Sequence, residues 1–113
     1  MSEKTHAFPR SHHLGGKAAY SAVYSRGIKS ARGPLLVYRL PNSLKHSRWG
    51  LSISRRFGSA PKRNRVKRLL RESIRHLHPA QGEHHDFIIV IRPHEIKTLA
   101  DYQQLLGKIC AGS

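Results

Sequence analysis

The chain has 113 residues, enough for one domain, and sets 21 Lys and Arg against six Asp and Glu, a formal net charge of +15 with its nine histidines neutral. Such a charge opposes compaction by self-repulsion and selects a polyanionic partner, nucleic acid foremost. The single Cys110 excludes an intrachain disulfide and a cysteine-paired zinc site, no apolar run approaches the roughly 20 residues of a membrane span, and the start MSEKTHAFPRSHH lacks the apolar core of a secretion signal. A cytoplasmic protein held by packing alone is expected, with no membrane partner.

Residues 1–16 are polar, contain Pro9 and end in Gly15-Gly16, which predicts an extended or flexible arm. Over Lys17 to Arg26, Tyr20, Val23 and Tyr24 recur at helical spacing, and Gly27 is expected as a left-handed C-terminal stop; the preceding GGKA offers no capping side chain. Three extended pieces follow: Ile28 to Arg32, Leu35 to Leu40, and Trp49 to Ser54. In the last, Trp49, Leu51 and Ile53 alternate with Gly50, Ser52 and Ser54, so one face suits a core while the other is small and polar and lets a ligand approach. Gly58-Ser59-Ala60-Pro61 opens a helix, with Ser59 as N-cap and Pro61 in the first turn, where a missing N–H does little harm. Val66, Leu69, Leu70, Ile74 and Leu77 form its core stripe, and Pro79 and Gly82 close it. DFIIVIR, apolar on both faces, predicts a central strand. Thr98 to Cys110 predicts a final helix with a capping box at Thr98 and Asp101 and a buried side of Leu99, Tyr102, Leu106 and Ile109. The order αβββαβα, without internal repeats, describes a single α/β (α+β) domain spanning residues 1–113.

The segment KRNRVKRLLRESIR, Lys62 to Arg75, carries seven cations and one acid, Glu72. Away from the aliphatic stripe, Asn64, Arg68, Arg71 and Arg75 align, with Arg63, Arg65 and Lys67 on the flanks and Arg55 and Arg56 just before the helix. Like charges at i and i+4 destabilise a helix by a few tenths of a kcal/mol each, so an unrelieved face of one sign points to phosphate contacts through guanidinium forks. A second candidate surface is aromatic. Tyr20 and Tyr24 share a helix face, and Leu36 and Tyr38 share a strand face. Such rings can stack the bases of a single strand without reading its sequence, and they serve equally well in a core, so both roles stand open.

The acids Glu3, Glu72, Glu83, Asp86, Glu95 and Asp101 are scattered, whereas a two-metal nuclease needs convergent carboxylates. His76-x-His78 and Glu83-His84-His85-Asp86 offer the only other catalytic or zinc-binding possibility, but side chains at i and i+2 of a helix diverge. No catalytic residue and no metal site are expected within the protein.

The run SRRFGSAPKRNRVKRLLRESIR, Ser54 to Arg75, closely resembles the signature of the bacterial ribonuclease P protein component family, including Arg63-Asn64-Arg65. Phe8-Pro9-Arg10, Leu14, Tyr20-x-x-x-Tyr24, Gly27, Leu36-x-Tyr38 and Asp86 to Ile89 fall in the family's order. The resemblance implies a two-layer α/β sandwich with a left-handed βαβ crossover, the opposite of the general rule. It implies a protein that pairs with a large catalytic RNA to remove the 5′ leader of precursor tRNA, any Mg2+ being held mainly by RNA, with no intrinsic cofactor and no obligate protein partner. By the same likeness Arg55, Arg56, Arg63, Asn64, Arg65, Lys67, Arg68, Arg71 and Arg75 face the catalytic RNA. Tyr20, Tyr24, Leu36, Tyr38, Ser52 and Ser54 belong to a separate leader cleft. Family members often carry phenylalanine where Tyr20 and Tyr24 stand, and the family's polar helix start is missing at GGKA. The competing function is a stand-alone RNA-binding protein of ribosomal or chaperone type, from which the long signature separates this chain.

Overall fold

A computed structural model describes residues 13–76 and 84–111. The expected arm through residue 12 with its Phe8-Pro9-Arg10, the stripe's Leu77, the helix stop at Pro79 and Gly82, His78, Glu83, and the side chains of Ile109 and Cys110 lie outside that description. The elements are α1 (Lys17–Arg26), β1 (Ile28–Arg32), β2 (Leu35–Pro41), β3 (Arg48–Ile53), a 3-10 turn (Arg55–Phe57), α2 (Ala60–Arg75), β4 (His85–Ile91) and α3 (Leu99–Ala111).

The four strands form one sheet in the order β1-β2-β4-β3. β1 and β4 each pair antiparallel with β2, and β3 pairs parallel with β4. Parallel neighbours need a long connection, and α2 supplies it across one face. β4 is central, as its two apolar faces require. Leu35, Val37, Phe87, Ile89 and Ile91 pack under Val66, Leu70 and Ile74 of α2 and Tyr102 and Leu106 of α3. Ile88 turns to the other face, where it meets Val23 of α1 and Leu14, with Tyr20, Tyr38, Leu40 and Val90 around them. Two helices thus layer one face, while α1 covers part of the other.

α2 buries Val66, Leu70, Ser73 and Ile74; Leu69, placed in the stripe from spacing, sits half-buried on its flank. Ser73 tolerates complete burial because its hydroxyl donates to the Leu69 carbonyl at 2.8 Å. Ser59 occupies the N-cap position, but its side chain makes no cap hydrogen bond. The junction is held instead by the Arg63 guanidinium, which donates to the Gly58 carbonyl at 2.7 Å. The capping box of α3 forms reciprocally: the Asp101 N–H donates to Thr98 Oγ1 at 3.2 Å and the Thr98 N–H to Asp101 Oδ2 at 3.3 Å.

Gly27 differs from expectation. Its φ of −77° and ψ of 161° are extended, not left-handed. Glycine is required there by crowding, since a Cβ would stand 2.8 Å from the Arg39 carbonyl oxygen and also against that of Val23. Asp86, buried at the start of β4, fastens the same end of the sheet. Arg48 donates to it from Nε at 2.8 Å and from Nη2 at 2.6 Å, and the Asn42 amide donates at 2.9 Å. Burial pulls this carboxyl upward, but the bonds from Arg48 and Asn42 outweigh it and hold it below the ordinary carboxylate value.

Candidate nucleic-acid interface

The outer face of α2 is cationic and open. Asn64, Arg65, Arg68 and Arg71 are exposed, as are Arg55 and Arg56 in the preceding 3-10 turn. Three members of the predicted set are placed differently from these. Arg63 is half-buried through its bond to Gly58, Lys67 is half-buried, and Arg75 is half-buried with Nη2 3.0 Å from Glu72 Oε2. The turn is anchored by Phe57, whose ring meets His94 edge-on at 5.2 Å. His94 is itself set by Nδ1 at 2.7 Å from the Arg92 carbonyl and Nε2 at 2.7 Å from the buried Tyr102 hydroxyl. A carbonyl only accepts, so Nδ1 carries a proton. Gly58, at φ 148°, then redirects the chain into α2 in a conformation that side chains disfavour.

The aromatic candidates gather on the opposite sheet face. Side chains alternate along a strand, so Leu36 and Tyr38 share a face with Gly50 and Ser52, through the rungs Leu36–Val90–Ser52 and Tyr38–Ile88–Gly50. α1 brings two more rings to that face. Tyr20 lies over Gly50, where a Cβ would fall 2.7 Å from the ring's Cζ. Ring centroids step 6.5 Å from Tyr20 to Tyr24 and 4.9 Å from Tyr24 to Tyr38. Tyr20 and Tyr38 are half-buried against Val23 and Ile88, whereas Tyr24 is 41% exposed. Tyr20 and Tyr38 thus pack partly into the core, and Tyr24 presents an accessible face. Burial, then the neighbouring Tyr24, push the Tyr20 hydroxyl upward, so it stays neutral near pH 7. Ser52 is half-buried on this face, and the exposed Ser54 lies just past the end of β3.

The two surfaces meet at the β3 edge. The Leu14 N–H donates to the Trp49 carbonyl at 2.9 Å, and His13 forms an isolated parallel bridge with Trp49 at this edge. Between this segment, α1 and α2 opens a cleft of about 140 Å3 whose lining includes His13, Leu14, Tyr20, Gly50, Lys67 and Arg71. Lys67 and Arg71, grouped from sequence with the helix face, thus also stand beside Tyr20. Helical spacing alone could not find this junction, because it is made by three elements distant in sequence.

Among the described residues no group of three His, Cys, Asp or Glu side chains is placed to hold a metal, and no helix is long and apolar enough to cross a membrane. Asp86 is taken up by Arg48 and Asn42, and Glu72 by Arg75 and His76, the latter at 3.3 Å.

A strongly cationic α/β domain with guanidinium groups along one helix and three tyrosine rings on the opposite sheet face has the make-up of an RNA-binding protein. The family model for Ribonuclease P matches residues 8–111, and the chain belongs to that family. It is 35% identical to the ribonuclease P protein component of Methylococcus capsulatus over 96% of this chain and 91% of that one. It is 41% identical to that of Exiguobacterium sp. over 65% of this chain and 63% of that one. The solved Staphylococcus aureus RNase P protein superposes with a TM-score of 0.74 at 27% identity, covering 89% of this chain and 93% of that one. The fold is also that of the RNase P protein from Thermotoga maritima, with a TM-score of 0.78 at 21% identity over 89% of this chain and 96% of the other.

Proposed function

We propose that this chain is the protein subunit of a cytoplasmic ribonuclease P ribonucleoprotein, which removes the 5′ leader from precursor tRNA. The outer face of α2, with Arg55 and Arg56, docks on the catalytic RNA, and the groove of Tyr20, Tyr24, Leu36, Tyr38, Ser52 and Ser54 holds the leader. One observation carries this division of labour: the cations of α2 and the tyrosine rings lie on opposite faces of the sheet, and Lys67 and Arg71 stand beside Tyr20 at the β3 edge. A domain so arranged can bind two RNA segments at once and fix one relative to the other, which is how positioning lowers a barrier.

Hydrolysis itself falls to the RNA. Asp86 and Glu72 are engaged by Arg48 and Arg75; in this reading Mg2+ is held mainly by RNA phosphates, and the protein contributes charge neutralisation and substrate grip. Family membership weighs against a stand-alone RNA-binding role.

The test is cleavage of precursor tRNA by the cognate catalytic RNA at low magnesium, with and without this protein. Addition of the protein should raise the rate, while the protein alone should leave the substrate intact. Cleavage by protein stripped of RNA, or no effect on the RNA-catalysed rate, would contradict the proposal.

A further inference from the structure

Lys29 has no role in the functional surfaces identified so far. In the β1–β2 register it stands directly opposite Tyr38, so its side chain leaves the sheet on the groove face. Continued through β4 and β3, this rung reads Lys29, Tyr38, Ile88, Gly50, a straight line across all four strands. At the far end Tyr20 lies on Gly50 beside Lys67 and Arg71; in the middle Tyr24 packs its ring against Tyr38; at the near end stands Lys29. Lys29 is exposed and has no ion-pair partner among the described residues. Among the described acids, Glu72 is engaged by Arg75, Asp86 by Arg48, and Asp101 by the cap of α3. β1 is also an edge strand, so nothing in the sheet closes off the groove beyond Lys29.

An aromatic strip with a cation at each end is the arrangement expected of a surface that holds a single strand by its phosphates and stacks the bases between. We propose that Lys29 binds a leader phosphate at the outer rim of the groove, so that the leader passes over the rings of Tyr20, Tyr24 and Tyr38, with Gly50 and Ile88 of this rung buried beneath, from Lys67 and Arg71 at the β3 edge to Lys29 at the β1 edge. Three inter-strand spacings make the rung roughly 14 Å long, the reach of a few nucleotides of extended strand. The inference rests on the assignment of the groove to the leader, and it adds direction and length. The end at Lys67 and Arg71 adjoins the helix that docks on the catalytic RNA, so it holds the nucleotides nearest the cleavage site, and Lys29 holds those furthest from it.

The experiment measures affinity of the reconstituted holoenzyme for precursor tRNAs carrying a graded series of leader lengths, with mature tRNA as reference. Lys29→Ala should weaken binding several-fold only for leaders long enough to cross the whole rung, and should lower the salt slope for those leaders by roughly 0.7. Lys29→Arg, which keeps the charge, should restore both. Tyr24→Ala, measured alongside, should weaken leaders too short to feel Lys29. If Tyr24→Ala has its effect and Lys29→Ala has none at any length, the phosphate contact is wrong while the groove assignment survives. If Lys29→Ala weakens mature tRNA equally, Lys29 contacts another part of the assembly and the inference fails. If neither variant distinguishes leader-bearing from mature tRNA, the groove assignment itself has failed.

Discussion

The outer face of α2 and the sheet face under α1, the two surfaces proposed to bind RNA, are built by opposite means. α2 holds its polar groups on a rigid rod, by helical spacing, with Val66, Leu70 and Ile74 fixing the rod on the sheet. Its exposed cations need no partner from any other element. The groove has no such rod. Its wall comes from α1, its floor from β2, β4 and β3, and one of its rings is seated only because residue 50 lacks a side chain. The first kind of surface suits a strong, salt-sensitive attachment to folded RNA, and the second a shape-selective hold on a single strand.

The largest expected effect breaks both surfaces together. Leu70→Ala removes a fully buried side chain between α2 and the sheet and should cost about 2–5 kcal/mol. Net stability of a domain is typically about 5–15 kcal/mol, so thermal or urea denaturation should show a large drop. Leu69→Ala, at a half-buried position, should cost clearly less. Equal losses at the two positions would mean that the helix is rotated from the orientation described.

A smaller effect separates the fold from both surfaces. Asp86→Asn leaves Arg48 without its carboxylate and should cost about 1–3 kcal/mol near pH 7. Because the folded carboxyl lies below its unfolded value of about 3.9, its contribution is fully present above that pH and fades as the pH falls through the folded value. Urea unfolding at neutral and acidic pH should therefore show wild type and Asp86→Asn converging in acid. A gap that stays constant would deny the ion pair any part in stability.

The smallest effect on stability should accompany a clear effect on RNA. Arg68→Ala, exposed on α2, should leave the melting temperature nearly unchanged, weaken binding to the catalytic RNA, and reduce the salt slope of that binding by about 1. A loss of helical circular dichroism in this variant would show that Arg68 supports the fold.

These differences also explain what could be read from residue order. α2, β4 and the capping box of α3 were legible because each depends on local pattern: a stripe of aliphatics, a strand apolar on both faces, and a reciprocal Thr98–Asp101 pair. The buried Ser73 was not, because its burial depends on a hydrogen bond to Leu69 that composition does not reveal. Gly27 was read as a conformational glycine, yet its need is steric and comes from Arg39 on a neighbouring strand. The groove was legible only as separate pieces, the rings of Tyr20, Tyr24 and Tyr38 and the small polar face of Gly50 and Ser52. Their order across the sheet, the seat of Tyr20 on Gly50 and the approach of Lys67 and Arg71 all follow from strand register, which no single segment encodes.

The division into two surfaces is tested most directly by Tyr24→Ala in the reconstituted holoenzyme, with affinity measured for precursor tRNA and for mature tRNA. Stacking contributes about 1–3 kcal/mol per base, so the leader-bearing substrate should bind several-fold to a hundredfold more weakly while mature tRNA and assembly with the catalytic RNA are nearly unaffected. Equal losses for the two substrates, or a loss of assembly, would contradict the assignment of this face to the leader.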